Sequence, residues 1–91
     1  MKFLTKGLEP EERINLLLQL TKIGSENIRN ALVDHLTKGL TENDAAMLND
    51  VSQQNFNRAL KRLNGVAEIV EQIKELDWVR HRDVRFYELY Y

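Results

Sequence analysis

Apolar residues recur along most of the chain at the three-and-four spacing of a helix, not the two-residue alternation of a strand. Glu9-Pro10-Glu11-Glu12 reads as a helix start, because proline in the first turn loses no needed hydrogen bond and carboxylates there face the positive end of the helix dipole. Ile14, Leu17, Leu18 and Thr21 then share one face of a first helix running to about Ile23. Leu16, Leu20 and Ile23 widen that stripe, so this helix should be covered on much of its surface, within the domain or by a second subunit. Gly24 ends it. Ser25 is placed to cap a second helix faced by Ile28, Ala31, Leu32, His35 and Leu36, and Lys38-Gly39 supplies a terminal cation followed by a residue suited to a left-handed cap.

Thr41-Glu42-Asn43-Asp44 is a variant capping box in which Asp takes the place of Glu or Gln, opening a short third helix with Ala45, Ala46 and Leu48 inward. Asn49-Asp50 suits a turn, and Ser52 caps a fourth helix from Gln53 to about Leu63 whose buried side chains should be Phe56, Ala59, Leu60 and Leu63. Asn64-Gly65 predicts a break before a fifth helix, where Val66, Ile69, Val70, Ile73 and Leu76 form a stripe narrow enough for a helix–helix interface. Val84 to Tyr91 has no helical period and is rich in strand-favouring residues, which predicts an extended arm or short strand. The expected fold is all-α, a small bundle of about five helices, forming one domain over residues 1–91 with its core in 9–77 and a C-terminal arm in 78–91.

Composition sharpens this picture mainly by exclusion. The absence of cysteine removes disulfides, thiolate catalysis and cysteine metal sites, and fits a reducing compartment. No apolar stretch suits a signal peptide or the roughly 20 residues of a membrane span, so a cytoplasmic protein without a membrane partner is expected. His35 and His81 lack companion ligands, and His35 reads as a core-edge residue. Glu68, Glu71, Glu75 and Asp77 fall on a solvated helix face. With no nucleophile–base pair, phosphate loop or metal set, neither an enzyme, a cofactor nor a small-molecule substrate is expected.

A net charge of −1 argues against a protein that coats nucleic acid through a broad positive field, but the distribution is uneven. Between residues 52 and 63 stand Arg58, Lys61 and Arg62 with no acid. A DNA-reading helix-turn-helix needs small residues where its helices cross, a tight turn, an apolar residue after it, and a second helix with polar residues outward. Ala45 and Ala46, Asn49-Asp50, Val51, and Phe56 with Ala59 and Leu60 supply these in order, although Asp50 stands where glycine is common. The predicted DNA-binding residues are Ser52, Gln53, Gln54, Asn55, Asn57, Arg58, Lys61 and Arg62, because amides pair with adenine, guanidinium with guanine, and both with phosphate. Arg80, Arg82 and Arg85 are candidates for further DNA or subunit contacts.

The run Ala31-Leu32-Val33-Asp34-His35-Leu36-Thr37-Lys38-Gly39, continued through Val51-Ser52-Gln53-Gln54-Asn55-Phe56 to Leu60-Lys61-Arg62-Leu63, resembles the adhesin-biosynthesis regulators typified by PapB. In that family a helix ending in Asp-aromatic-Leu and glycine precedes a helix-turn-helix whose second helix carries Phe and then Leu-x-Arg-Leu. The resemblance covers about residues 14 to 76, with His35 where an aromatic is usual. It implies a small oligomeric regulator that binds double-stranded DNA near promoters of an adhesin, fimbrial or similar surface or mobile-element operon and activates or represses by occupancy. A reading from a different class is a helical protein–protein adaptor or anti-regulator that docks a partner through the same helix pair and never touches DNA.

Overall fold

The computed structural model describes the backbone of residues 3–90 and the side chains of residues 3–79. Its elements are α1 (Glu11–Gln19), α2 (Glu26–Lys38), α3 (Glu42–Leu48) and α4 (Gln53–Tyr90), with no strand among the described residues. Helices α1, α2 and α3 gather around the first half of α4. The core they enclose contains Ile14, Leu32, Leu36, Phe56 and Leu63, all fully buried, with Ala31, Ala45, Ala46 and Ala67 where backbones approach closely.

The caps follow local chemistry. Ser25 Oγ accepts from the Ile28 N–H at 3.3 Å and Thr41 Oγ1 from the Asp44 N–H at 3.1 Å, each satisfying an amide that the first helical turn leaves free. Gly39 closes α2 at φ 79°. Gly7 is also left-handed, at φ 72°, and a Cβ on it would lie 3.0 Å from the Gly39 Cα. Around that contact the N-terminal segment is strapped to the end of α2: the Gly7 N–H donates to the His35 carbonyl and the Glu9 N–H to the Leu36 carbonyl. Leu4, which the hydrophobic pattern left outside the core, is buried there, and the Phe3 N–H donates to Asn64 Oδ1 at 2.9 Å. Gly7→Ala should therefore cost at least about 2 kcal/mol in denaturant unfolding, since it combines left-handed strain with a backbone collision. An unchanged midpoint would show that the strap carries no stability.

Four expectations need correction. The first helix stops at Gln19 instead of Ile23, because its end tightens: the Leu20 and Thr21 amides reach back three residues, to Leu17 and Leu18, and Thr21 Oγ1 donates to the Leu18 carbonyl. Its outer leucines, Leu16 and Leu20, are exposed, and Leu48 of α3, expected inward, is exposed too, because in so short a helix Ala45 and Ala46 are the residues that face the core. The break at Asn64-Gly65 is absent, so the fourth and fifth predicted helices are one and the count is four. Glycine inside a helix costs only about 1 kcal/mol and removes no hydrogen bond, while Asn64 uses its side chain to hold Phe3 instead of competing for its own helix. Fourth, the expected extended arm is helical in backbone through Tyr90. No glycine or proline follows Gly65, and side-chain preference for strand is a weak force against continued helix propagation.

Candidate nucleic-acid interface

Helices α3 and α4 are joined by a four-residue turn, 49–52, built to a demanding shape. Asp50 takes φ 56°, the left-handed conformation that explains why glycine is common there and why Asp, whose side chain tolerates it, can substitute. The Val51 N–H donates to the Ala46 carbonyl at 2.8 Å, closing the turn. Ser52 Oγ then accepts from the Asn55 N–H at 3.1 Å, so this hydroxyl is occupied in capping α4.

A second anchor comes from α2. Asn49 Nδ2 donates both to Asp34 Oδ2, at 2.9 Å, and to the Ala45 carbonyl, at 2.8 Å, while Lys38 pairs with Asp34 Oδ1 at 3.1 Å. The Asn49 hydrogen bond, aided by Lys38, holds the Asp34 carboxyl below its ordinary value of 3.8 against the opposing effect of burial. A depressed folded-state value means that this stabilisation is complete above 3.8 and is lost as pH falls through the folded value. Asn49→Ala should therefore lower the melting temperature most near neutral pH, with the gap to the parent narrowing below pH 3.8. A gap independent of pH would remove Asp34 from this role. His35 lies beside it, nearly buried, with Nδ1 2.7 Å from the Leu40 carbonyl and its ring edge-on to Phe56 at 5.6 Å.

Phe56, Ala59 and Leu63 turn into the core and Leu60 packs at its margin, which leaves Gln53, Gln54, Asn55, Asn57, Arg58, Lys61 and Arg62 exposed along one end of α4. They sort into three rows. Gln54, Arg58 and Lys61 form the outermost row by helical spacing. Gln53, Asn57 and Lys61 line an open groove of about 860 Å³ whose far side includes Lys6, Thr41 and Asn43, with Gln53 Nε2 donating to Asn57 Oδ1 at 3.2 Å. Asn55, Arg58 and Arg62 line a smaller groove of about 330 Å³ against Ile23, Gly24 and Ser25. Sequence spacing located the α4 residues, but Lys6 was missed because long-range contacts bring the N-terminal segment to this face: the Gly7–Gly39 approach and the hydrogen bonds to His35, Leu36 and Asn64.

Electrostatically the face is bounded. Glu42 belongs to the larger groove, and beyond Gly65 the exposed face of α4 turns acidic with Glu68, Glu75 and Asp77. Glu71 is engaged by Arg13 at 3.2 Å and Lys74 at 3.3 Å. The side chains of Arg80, Arg82 and Arg85 lie outside the described residues. Among the described residues no His, Asp or Glu cluster is arranged to hold a metal, and no helix is long and apolar enough to cross a membrane.

A short helix, a tight left-handed turn and a second helix with amides and cations outward make up the α3–α4 surface, and comparison with known proteins places the chain in a family. Residues 1–76 match the model of the PapB family, adhesin biosynthesis transcription regulatory protein, and the chain belongs to that family. It is similar to the AFA-III adhesin operon regulatory protein of Escherichia coli, 34% identical over 70 residues, covering 77% of this chain and 69% of the relative. The F1845 adhesin operon regulatory protein of Escherichia coli is 34% identical over 67 residues, covering 74% and 79%. The crystal structure of Escherichia coli FocB superposes with a TM-score of 0.74 at 25% identity, covering 80% of this chain and 83% of that one, so the all-helical fold is shared.

Proposed function

We propose that this protein regulates transcription of a bacterial adhesin or fimbrial operon by binding double-stranded DNA in a sequence-specific manner through the exposed face of α4. The observation that carries the reading is the coincidence of seven outward amides and cations, Gln53 to Arg62, with a helix held by a capped, left-handed turn, in a chain whose relatives are named adhesin operon regulators. Gln53, Gln54 and Asn57 near the start of α4 have the chemistry to read base edges, a good bidentate pair being worth about 1–3 kcal/mol of discrimination. Arg58, Lys61 and Arg62 supply phosphate contacts, with Asn55 beside them, and Ser52 serves by fixing where α4 begins.

The chain acts as one domain, by occupancy and not catalysis, in the cytoplasm where the operon lies. A single short reading helix gives limited affinity and site length, so a symmetric dimer or higher oligomer is the expected working form. Titration against DNA upstream of the chain's own gene, repeated across salt concentrations, tests the proposal. Affinity should fall steeply with salt as neutralised phosphates release counterions. Absence of binding, with salt-insensitive capture of a protein partner instead, would favour the adaptor reading.

A further inference from the structure

Lys6 stands at the corner of a tight turn, and that turn is fixed to the body of the protein on both sides. The Leu8 N–H donates to the Thr5 carbonyl at 3.2 Å, and Gly7, the third residue of the four, takes φ 72°, as a type II turn requires. Ahead of Lys6, Leu4 is buried and the Phe3 N–H is held by Asn64 of α4. Behind it, the Gly7 and Glu9 amides are held by carbonyls at the end of α2. A lysine on a free chain would have to order its backbone on binding, whereas this one has only its own side chain to order.

The charge of Lys6 is also uncommitted. Among the described residues every ion pair takes Arg13, Lys38 or Lys74 as its cation. Glu9, the acid nearest to Lys6 in sequence, is taken up by the Thr5 N–H at 2.9 Å and by Arg13 at 2.9 Å. Lys6 itself is exposed and lines the groove of about 860 Å³, across from Gln53, Asn57 and Lys61. Two cations, Lys6 and Lys61, face one acid there, Glu42, and the remaining lining contains no Asp, Glu, Lys or Arg.

We infer that Lys6 binds a phosphate of the duplex strand that Lys61 also engages, so that the N-terminal turn and α4 clamp one DNA backbone between them. This deepens the proposed DNA-binding role of α4 and rests on it. Lys61 belongs both to the groove wall and to the outermost row of α4, so a strand whose phosphate it holds passes the mouth of the groove, where Lys6 stands. In a chain of net charge −1 no broad field gathers phosphates, and a fixed cation beside the reading face carries more of the attraction than it would in a basic protein. A phosphate contact carries no base information, so Lys6 adds affinity and register but no sequence preference.

Anisotropy titrations of the full chain with DNA from upstream of its own gene and with an unrelated duplex, each across salt concentrations, test the contact. Lys6→Ala should weaken binding to both duplexes alike, roughly five- to tenfold near 0.1 M salt, and flatten the salt slope by about one. Its melting temperature should match the parent's, the side chain being exposed, and Lys6→Arg should bind as the parent does. Lys6→Ala/Leu8→Lys restores the net charge at an exposed position that does not line the groove, and should bind as weakly as Lys6→Ala. Unchanged affinity and slope in Lys6→Ala would overturn the contact. Full recovery in Lys6→Ala/Leu8→Lys would overturn its placement, the charge then acting only through the general field. A loss confined to the upstream DNA would overturn the phosphate assignment in favour of a base contact. A parent chain that binds neither duplex would overturn the DNA reading itself and this contact with it, an outcome distinct from the other three.

Discussion

Removing the three cations of the α4 face together, as Arg58→Ala/Lys61→Ala/Arg62→Ala, should lower DNA affinity roughly 10²–10³-fold near 0.1 M salt while leaving the fold intact. Each phosphate contact contributes about 0.9 to the salt slope of log K, so losing three flattens the slope by nearly three, and the affinity loss at 0.1 M follows from that difference. The fold should survive because all three side chains are exposed. Of the three, Arg62→Ala alone should reduce the slope by about one. Fluorescence anisotropy with operator DNA at several salt concentrations reads both quantities. An unchanged slope in the triple variant would mean that phosphates are bound elsewhere on the molecule.

The largest stability effect is expected from Phe56→Ala, at about 3–5 kcal/mol. Phe56 is fully buried beside Ala59 and Leu63, and it is the largest such side chain, the ring against which His35 stands edge-on. Truncation leaves a cavity at the point where α2, α3 and α4 meet, and a 91-residue domain has little reserve to absorb it. Chemical unfolding should show either a midpoint lowered by that amount or no cooperative transition at room temperature. A loss below about 1 kcal/mol would mean that the neighbouring helices close over the gap, and hence that α4 is held less rigidly than its burial suggests.

These two substitutions act on opposite faces of the same eleven residues of α4, and the sequence separated the faces correctly. Phe56, Ala59, Leu60 and Leu63 were legible as the inner side because helical spacing alone assigns them, and Ser25, Gly39, Thr41 and Ser52 were legible as caps because each meets a local need for a hydrogen bond or a left-handed residue. The turn at Asp50 was likewise visible in the chemistry of Asn49-Asp50. Such features depend on neighbours within a few positions of the chain.

What the sequence by itself determined, then, is the helical class, the first three helices to within a few residues, the inner face of the fourth, and the polar row opposite it. Only the tertiary structure decided the rest, because the deciding contacts join distant residues. Asn64 is held by Phe3, 61 positions away, and the helix runs through a site that local chemistry marks as a break. Gly7 meets Gly39, and Lys6 comes to line the groove beside Gln53, Asn57 and Lys61. Asp34 fixes Asn49 across 15 positions, tying the turn to α2. The apolar stripe of Ile69, Ile73 and Leu76 was legible as a helix face, but whether a helix face is buried depends on where the other helices end, and here they end at about Glu71.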